Sequence, residues 1–107
     1  TPDGQTLITA SKDKTIRLWN VQTGELIRTL NDHIRDVNAL ALTSNGRVLI
    51  SGSSDSTIKL WDLAAGRVLM TWSEHSDTVN SIALSPDGKF LISGSSDKTV
   101  RIWQMPI

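Results

Sequence analysis

Residues 54–62 read SDSTIKLWD, and nearly the same nine residues stand at 12–20 as KDKTIRLWN and at 96–104 as SDKTVRIWQ. Trp19, Trp61 and Trp103 are thereby spaced 42 and 42 residues apart. A fixed period of that length marks an array of like supersecondary units, and it decides the fold class before any local reading. The register holds without a gap: Gly4, Gly46 and Gly88 are in step, as are Asp13, Asp55 and Asp97. His33 and His75 are also in step, each after an acidic residue. Between His33–Trp61 and His75–Trp103, 15 of 29 positions are identical, so the chain holds about two and a half copies of one unit.

Within a copy, short period-2 signals alternate with turn chemistry. DVNALAL (36–42) alternates polar and apolar, as a strand with two different faces should. SNGR (44–47) and SPDGK (85–89) are turns in which Gly supplies a positive φ without steric cost. VLISGS (48–53) and FLISGS (90–95) read as buried strands. SDST is a tight bend, TIKLW (57–61) a β-branched and aromatic strand, LAAG a further turn, and RVLMTW (67–72) the last strand of the unit. Four short strands per unit, with no segment periodic enough for a helix, make an all-β chain of four-stranded antiparallel sheets. Such a sheet cannot bury both faces alone, and stacking copies radially covers them.

At 107 residues the chain is of ordinary single-domain size. Eleven basic and eleven acidic residues leave no basic footprint, so nucleic acid and anionic membranes are not the expected partners. The absence of Cys excludes disulfides and thiolate metal sites and suits a cytoplasmic chain. No apolar run approaches the roughly 18 residues of a membrane-spanning helix.

These motifs resemble the WD-repeat β-propeller family, and the likeness covers essentially the whole chain. The wording SPDGKFLISGSSDKTVRIW is similar to the regular repeats of bacterial, especially cyanobacterial, members. The family pattern is a Gly-His pair, a long middle, an Asp six residues before a Trp, and then Trp-Asp. Only the second copy ends in Trp61-Asp62; the others read Trp19-Asn20 and Trp103-Gln104, and Asp32 and Glu74 replace the Gly before each His. The resemblance implies a partial propeller of about two and a half blades. Residues 1–32 are then a partial repeat, 33–74 a full repeat and 75–107 a final repeat lacking its last strand. It further implies that the chain is the C-terminal part of a longer propeller, with a separate oligomerising unit as the alternative.

The resemblance also carries a structural polar network onto His33, Ser51, Asp55 and Trp61, and onto His75, Ser93, Asp97 and Trp103. The first copy keeps Thr9, Asp13 and Trp19 but has no matching His. An indole N–H only donates, a hydroxyl and an imidazole do both, and a carboxylate only accepts. A chain from Trp through Ser or Thr and His to Asp therefore satisfies each buried polar group in one direction.

Ser, His and Asp at fixed spacing also invite a hydrolase reading. Against it, Ser51 lies in a run that should be buried, no Gly-x-Ser-x-Gly elbow is present, and the set occurs twice. Two histidines on neighbouring sheets, with only carboxylates to complete a shell, make a poor zinc site. The SGSSD stretches lack the Gly-Lys-Ser/Thr of a phosphate loop. No catalytic residue, cofactor or metal is expected. Trp72, standing where the first copy has Leu30, reads as packing or rim.

Surface is then what remains for function. The family's partner-gripping positions are residues three and five after the His and the residue before the repeat's Asp. Mapped here they are Asp36, Asn38 and Ser54, then Thr78, Asn80 and Ser96, with Lys12 from the first copy. The competing reading of Asn38 and Asn80 is that they satisfy backbone at a strand start. The expected function is a non-catalytic platform for other proteins, or for further blades of the same assembly. The alternatives are an enzyme with its active site in the propeller channel, and a purely structural spacer. The inner strands DVNALAL and TVNSIAL offer a channel only one ionisable side chain, Asp36.

Overall fold

In the computed structural model, which describes residues 1–106, ten strands form three antiparallel sheets. The first sheet holds β1 (Thr6–Ala10), β2 (Ile16–Asn20) and β3 (Leu26–Leu30). The middle sheet holds β4 (Val37–Leu42), β5 (Val48–Ser53), β6 (Ile58–Asp62) and β7 (Arg67–Trp72). The last holds β8 (Val79–Leu84), β9 (Phe90–Ser95) and β10 (Val100–Gln104). Each sheet is an open meander in chain order, and the described residues contain no helix.

The turns follow their chemistry. Gly46 and Gly88 adopt φ of 72° and 72° in the SNGR and SPDGK turns. The bends of SDST and its counterparts hold Lys14, Ser56 and Lys98 at φ of 76°, 72° and 69°. Left-handed backbone at non-glycine residues costs about 1–2 kcal/mol each. The preceding aspartate stabilises each bend, because its carboxylate accepts hydrogen bonds from the N–H and hydroxyl of Thr15, Thr57 or Thr99.

The sheets pack face to face through two apolar clusters. Between the first and middle sheets lie Ile16, Leu18 and Leu30 against Val37, Leu49 and Trp61. Between the middle and last sheets lie Val48, Ile50, Ile58 and Leu60 against Val79, Leu91 and Met105. The middle sheet is thus covered on both faces, which is why every residue of VLISGS is buried. FLISGS departs from its sequence reading as a buried strand. Leu91 and Ser93 are sealed, but Phe90 is 43% exposed, because among the described residues nothing covers the far face of the last sheet.

DVNALAL also departs from plain alternation. Val37 lies opposite Ser53 and Ala39 opposite Gly52, so Asn38 is an extra residue in a β-bulge. The bulge re-phases the strand: Val37, Leu40 and Leu42 share one cluster, while Ala41 turns to the other. Asn80 does the same in β8, between Val79 and Ser81, and Val79, Ile82 and Leu84 again share a cluster. Without the bulge, Val37 would face away from Leu40 and Leu42.

Two features fix how closely neighbouring sheets approach. A Cβ on Gly52 would stand 2.7 Å from Val79 Cγ1, so the middle and last sheets meet where a side chain is absent. Trp72 and Trp103 stack across the same interface with ring centroids 4.6 Å apart and planes 4° from parallel. That separation exceeds the van der Waals spacing of about 3.5 Å, so the rings are offset, the favoured geometry for two electron-rich faces. Trp72 is therefore a packing residue in this structure.

Candidate functional site

The repeat's polar residues meet inside the sheets. In the middle sheet, Trp61 Nε1 donates to Ser51 Oγ at 2.8 Å. Ser51 Oγ lies 2.6 Å from His33 Nε2, and His33 Nδ1 lies 2.8 Å from Asp55 Oδ2. The last sheet repeats this: Trp103 to Ser93 at 2.8 Å, Ser93 to His75 at 2.7 Å and His75 to Asp97 at 2.8 Å. One proton arrangement satisfies every member: each indole N–H donates to the hydroxyl, the hydroxyl to Nε2, and Nδ1–H to the carboxylate.

Strand register and the bends place these groups. Ser51 on β5 and Trp61 on β6 face the same side, since Leu49 pairs with Trp61 and Ser51 with Lys59. The histidine arrives from the segment before β4, and the aspartate from the β5–β6 bend. The sequence reading missed Thr57 and Thr99, whose hydroxyls bond to the aspartates and sit 3.3 Å from the imidazole nitrogens. The Asp-x-Thr spacing, common to all three copies, is the signal that would have found them.

Electrostatics follow the geometry. Burial works against ionisation of Asp55, yet hydrogen bonds from His33 and Thr57 outweigh it and hold the carboxyl well below the usual range. At Asp97 the Thr99 hydroxyl contributes most, burial opposes it and His75 adds to it; that carboxyl is also held low. Asp13 has no imidazole to face. Hydrogen bonds from Thr15 and Ser11 lower it to about 2, and its second oxygen pairs with Arg17 at 2.6 Å. Thr9 still accepts from Trp19 Nε1, at 2.9 Å.

The Ser51–His33–Asp55 distances match those of a hydrolytic triad, but the surroundings do not. Ser51 is 0% exposed, its oxygen already accepts the Trp61 N–H, and the His33 side chain is 1% exposed. A nucleophile has to reach a substrate carbonyl beside donors aimed at the developing oxyanion. Here the hydroxyl is enclosed between strands, and its work is to join β5 and β6 to the segment carrying the histidine. Among the described residues, no group of three or more His, Asp or Glu side chains is placed to hold a metal ion.

Two ion pairs tie this network to its flank. Lys59 Nζ lies 2.8 Å from Asp32, and Arg101 Nη1 lies 3.5 Å from Glu74. The acidic residue before each histidine thus meets the cation two residues before each tryptophan. This gives Asp32 and Glu74 a physical role that a glycine could not fill.

The second set of residues gathers at the end of the sheets where β4 and β8 begin and the β5–β6 and β9–β10 bends close. Ser54 N donates to the Asp36 carbonyl and Ser96 N to the Thr78 carbonyl, each at 2.9 Å. The bulge turns Asn38 Nδ2 onto Ser54 Oγ at 2.9 Å and onto the Val79 carbonyl of the next sheet at 3.2 Å. Asn80 Nδ2 reaches Ser96 Oγ at 2.9 Å. Asn38 therefore satisfies backbone as well as a side chain, while Asn80 has only the hydroxyl among the described residues. Lys12 lies exposed in the β1–β2 bend at the same end, where Val37 N donates to the Ser11 carbonyl at 3.0 Å.

The family model described as "WD domain, G-beta repeat" matches residues 1–20, 24–62 and 66–104. The three matches cover most of the chain and each ends one residue past a repeat's tryptophan. WD40 repeats generally mediate protein–protein interaction, and domains built of them are typically non-catalytic. The chain belongs to the WD-repeat family.

Proposed function

We propose that the chain forms part of a β-propeller whose loop end is a non-catalytic platform for partner proteins. The observation that carries this reading is the contrast between the two polar sets. The Ser–His–Asp–Trp residues are enclosed and satisfied by one another, whereas Asn38, Asn80, Ser96 and Lys12 are exposed at one end. Buried groups with their partners fix a fold; exposed groups held in a repeated geometry are free to bond to something else.

The bulges preorganise that end. Each asparagine is locked onto the serine of its own bend, so little side-chain entropy remains to be lost on binding. Asp36, Ser54 and Thr78 are half-buried beside them and form the floor on which a partner backbone would rest. The two charged residues named at this end, Lys12 and Asp36, are of opposite sign and form no basic patch, which fits a protein partner better than a polyanion.

The test is a capture experiment with the chain and its Lys12→Ala, Thr78→Ala, Asn80→Ala triple variant, both immobilised at equal density. The reading expects a discrete set of proteins retained by the first and lost by the second, with the urea midpoint unchanged. Equal retention by both would overturn the assignment to this end of the sheets.

A further inference from the structure

At the end of the sheets opposite the loop end, and independent of it, the two sheet interfaces are filled differently. The repeat sets Thr6 and Leu18 of the first sheet at the positions of Val48 and Leu60 in the middle sheet, and Leu63 at the position of Met105. The backbone is equivalent at both places: Leu63 N donates to the Arg47 carbonyl at 3.0 Å and Met105 N to the Lys89 carbonyl at 2.8 Å. Between the middle and last sheets, Met105 is buried and packs with Val48 and Leu60, which closes the interface. Between the first and middle sheets a cleft of about 470 Å³ remains.

Thr6 and Leu18 stand on one side of the cleft, and Arg47, Leu63, Ala64 and Leu69 on the other. Thr1 lines it too, in a turn built like the two later ones. Thr1 Oγ1 accepts from Thr6 N at 3.1 Å, Thr43 Oγ1 from Val48 N at 3.1 Å and Ser85 Oγ from Phe90 N at 3.0 Å. Leu42 and Leu84, which stand just before the two later turns, each pack against the sheet before their own. That position of the repeat therefore faces away from the cleft on the other side of its sheet. The cleft is bounded by elements in their repeated geometry.

Its size is that of a small-molecule site, about 300–1,000 Å³. Close-packed interiors leave few voids larger than a water molecule, so this volume exceeds packing slack. The lining is mainly apolar and carries one cation, Arg47, which forms no ion pair among the described residues. A second guanidinium stands beside it. Arg28 Nη1 donates to the Ala64 carbonyl at 3.1 Å, in the place left by Gly66, whose Cβ would stand 2.2 Å away. The acid in the lining, Asp62, has its Oδ1 committed to Ala65 N at 3.1 Å. Two cations against one carboxylate, over an apolar floor, complement a ligand with an apolar body and a single negative charge.

We infer that the cleft between the first and middle sheets binds a small apolar carboxylic acid. Its carboxylate pairs with Arg47, whose planar fork matches two oxygens. Its hydrocarbon body lies between Leu18, Leu63 and Leu69, filling from outside the volume that Met105 helps to fill at the other interface.

The experiment titrates octanoate and, separately, 1-octanol into the isotopically labelled full chain and follows the backbone amide shifts. Octanoate is expected to saturate, with shifts concentrated at Thr6, Leu18, Leu63 and Ala64. Octanol is expected to bind about tenfold more weakly at the same amides, for want of the charge-assisted bond. Arg47→Met should bring octanoate down to the level of octanol, and Leu63→Met, which copies the filling of the other interface, should weaken both. If Arg47→Met does not fold, the octanoate and octanol pair on the unaltered chain still decides. Equal affinity for the two ligands would overturn the inference, as would Arg47→Met or Leu63→Met binding octanoate as tightly as the unaltered chain. So would a titration without saturation, or shifts spread over Phe90, Val100 and Ile102, which mark adsorption to any exposed apolar surface.

Discussion

The first and middle sheets carry the same residue types at the same spacing and use them differently. Thr9–Trp19 and Ser51–Trp61 form nearly identical bonds, at 2.9 Å and 2.8 Å, because strand register alone brings them together. The aspartates diverge. Asp55 turns inward to His33 and its side chain is 3% exposed; Asp13 turns outward to Arg17 and is 44% exposed. The cations diverge with them, Lys59 reaching Asp32 and Arg17 falling back on Asp13. The lesson is that the hydroxyl–indole bond belongs to the strand pair, whereas the fate of the carboxylate is set by the histidine. An imidazole facing the bend converts a surface turn cap into the end of an internal bonded chain.

The largest expected difference between the two sheets lies in their tryptophans. Trp61 is 2% exposed and packed from both sides of the interface, while Trp19 is half-buried. Trp61→Ala is expected to cost about 3–5 kcal/mol and Trp19→Ala less than half of that, read as urea midpoints at constant slope. Equal losses would mean that the first sheet is as tightly held as the middle one. The hydroxyls follow. Ser51→Ala strips partners from both the indole N–H and the imidazole, for a loss of about 2–4 kcal/mol. Thr9→Val strips one partner from a half-exposed indole and is expected to cost about 1 kcal/mol. A Ser51→Ala loss no greater than that of Thr9→Val would show that His33 finds another partner and that the chain of bonds does not act as a unit.

Acid sharpens the comparison further. The carboxyl of Asp55 is held low in the folded protein, so in acid the unfolded chain binds more protons. Its contribution is complete above the unfolded value of about 3.9 and is lost as pH falls towards the folded one. The urea midpoint should therefore drop between about pH 5 and pH 2. Asp55→Asn should start lower and flatten that decline. Asp13→Asn should follow the unaltered profile closely, since its bonds lie in solvent where screening weakens them. Identical flattening by both variants would remove the distinction between an enclosed carboxylate and an exposed one.

Much of this was legible in the sequence because the repeat states it three times. Strands and turns follow from the 42-residue period and local turn chemistry, while the residues of the network came with the family resemblance, to which donor and acceptor counting gives a physical reason. The bulges at Asn38 and Asn80 were not, since one extra residue leaves hydrophobic composition unchanged and only shifts which face Leu40 and Leu42 occupy. Nor were the pairs from Asp32 to Lys59 and Glu74 to Arg101, each joining residues 27 apart that only the packed sheet brings together. The half-exposed FLISGS shows the third limit. Its text is that of a buried strand, but burial of its second face depends on a neighbour, and the strand's own residues do not carry that information. At the loop end, the family resemblance singled out Asn38 and Asn80 as matching positions of two repeats. It took the bulge to show that Asn38 is also tied to the next sheet.

The smallest effect is expected at the ion pairs, and it separates the same two sheets. Arg17 and Asp13 are both well exposed, so Arg17→Met should change stability by no more than about 0.5 kcal/mol, and by nothing measurable at 1 M salt. Lys59 is different: its side chain is 10% exposed and its ammonium has Asp32 and Thr71 as partners. Asp32→Ala leaves that ammonium with a hydroxyl alone. The cost should be about 1 kcal/mol, below that of a fully enclosed pair because Asp32 itself is half in solvent. It should also persist in high salt, because counterions screen an enclosed ammonium poorly. Urea midpoints of both variants at low and high salt test this directly. An Asp32→Ala loss that disappears in salt would place the Lys59 pair with that of Arg17, as surface decoration, and would leave the acidic residue before each histidine without a structural reason.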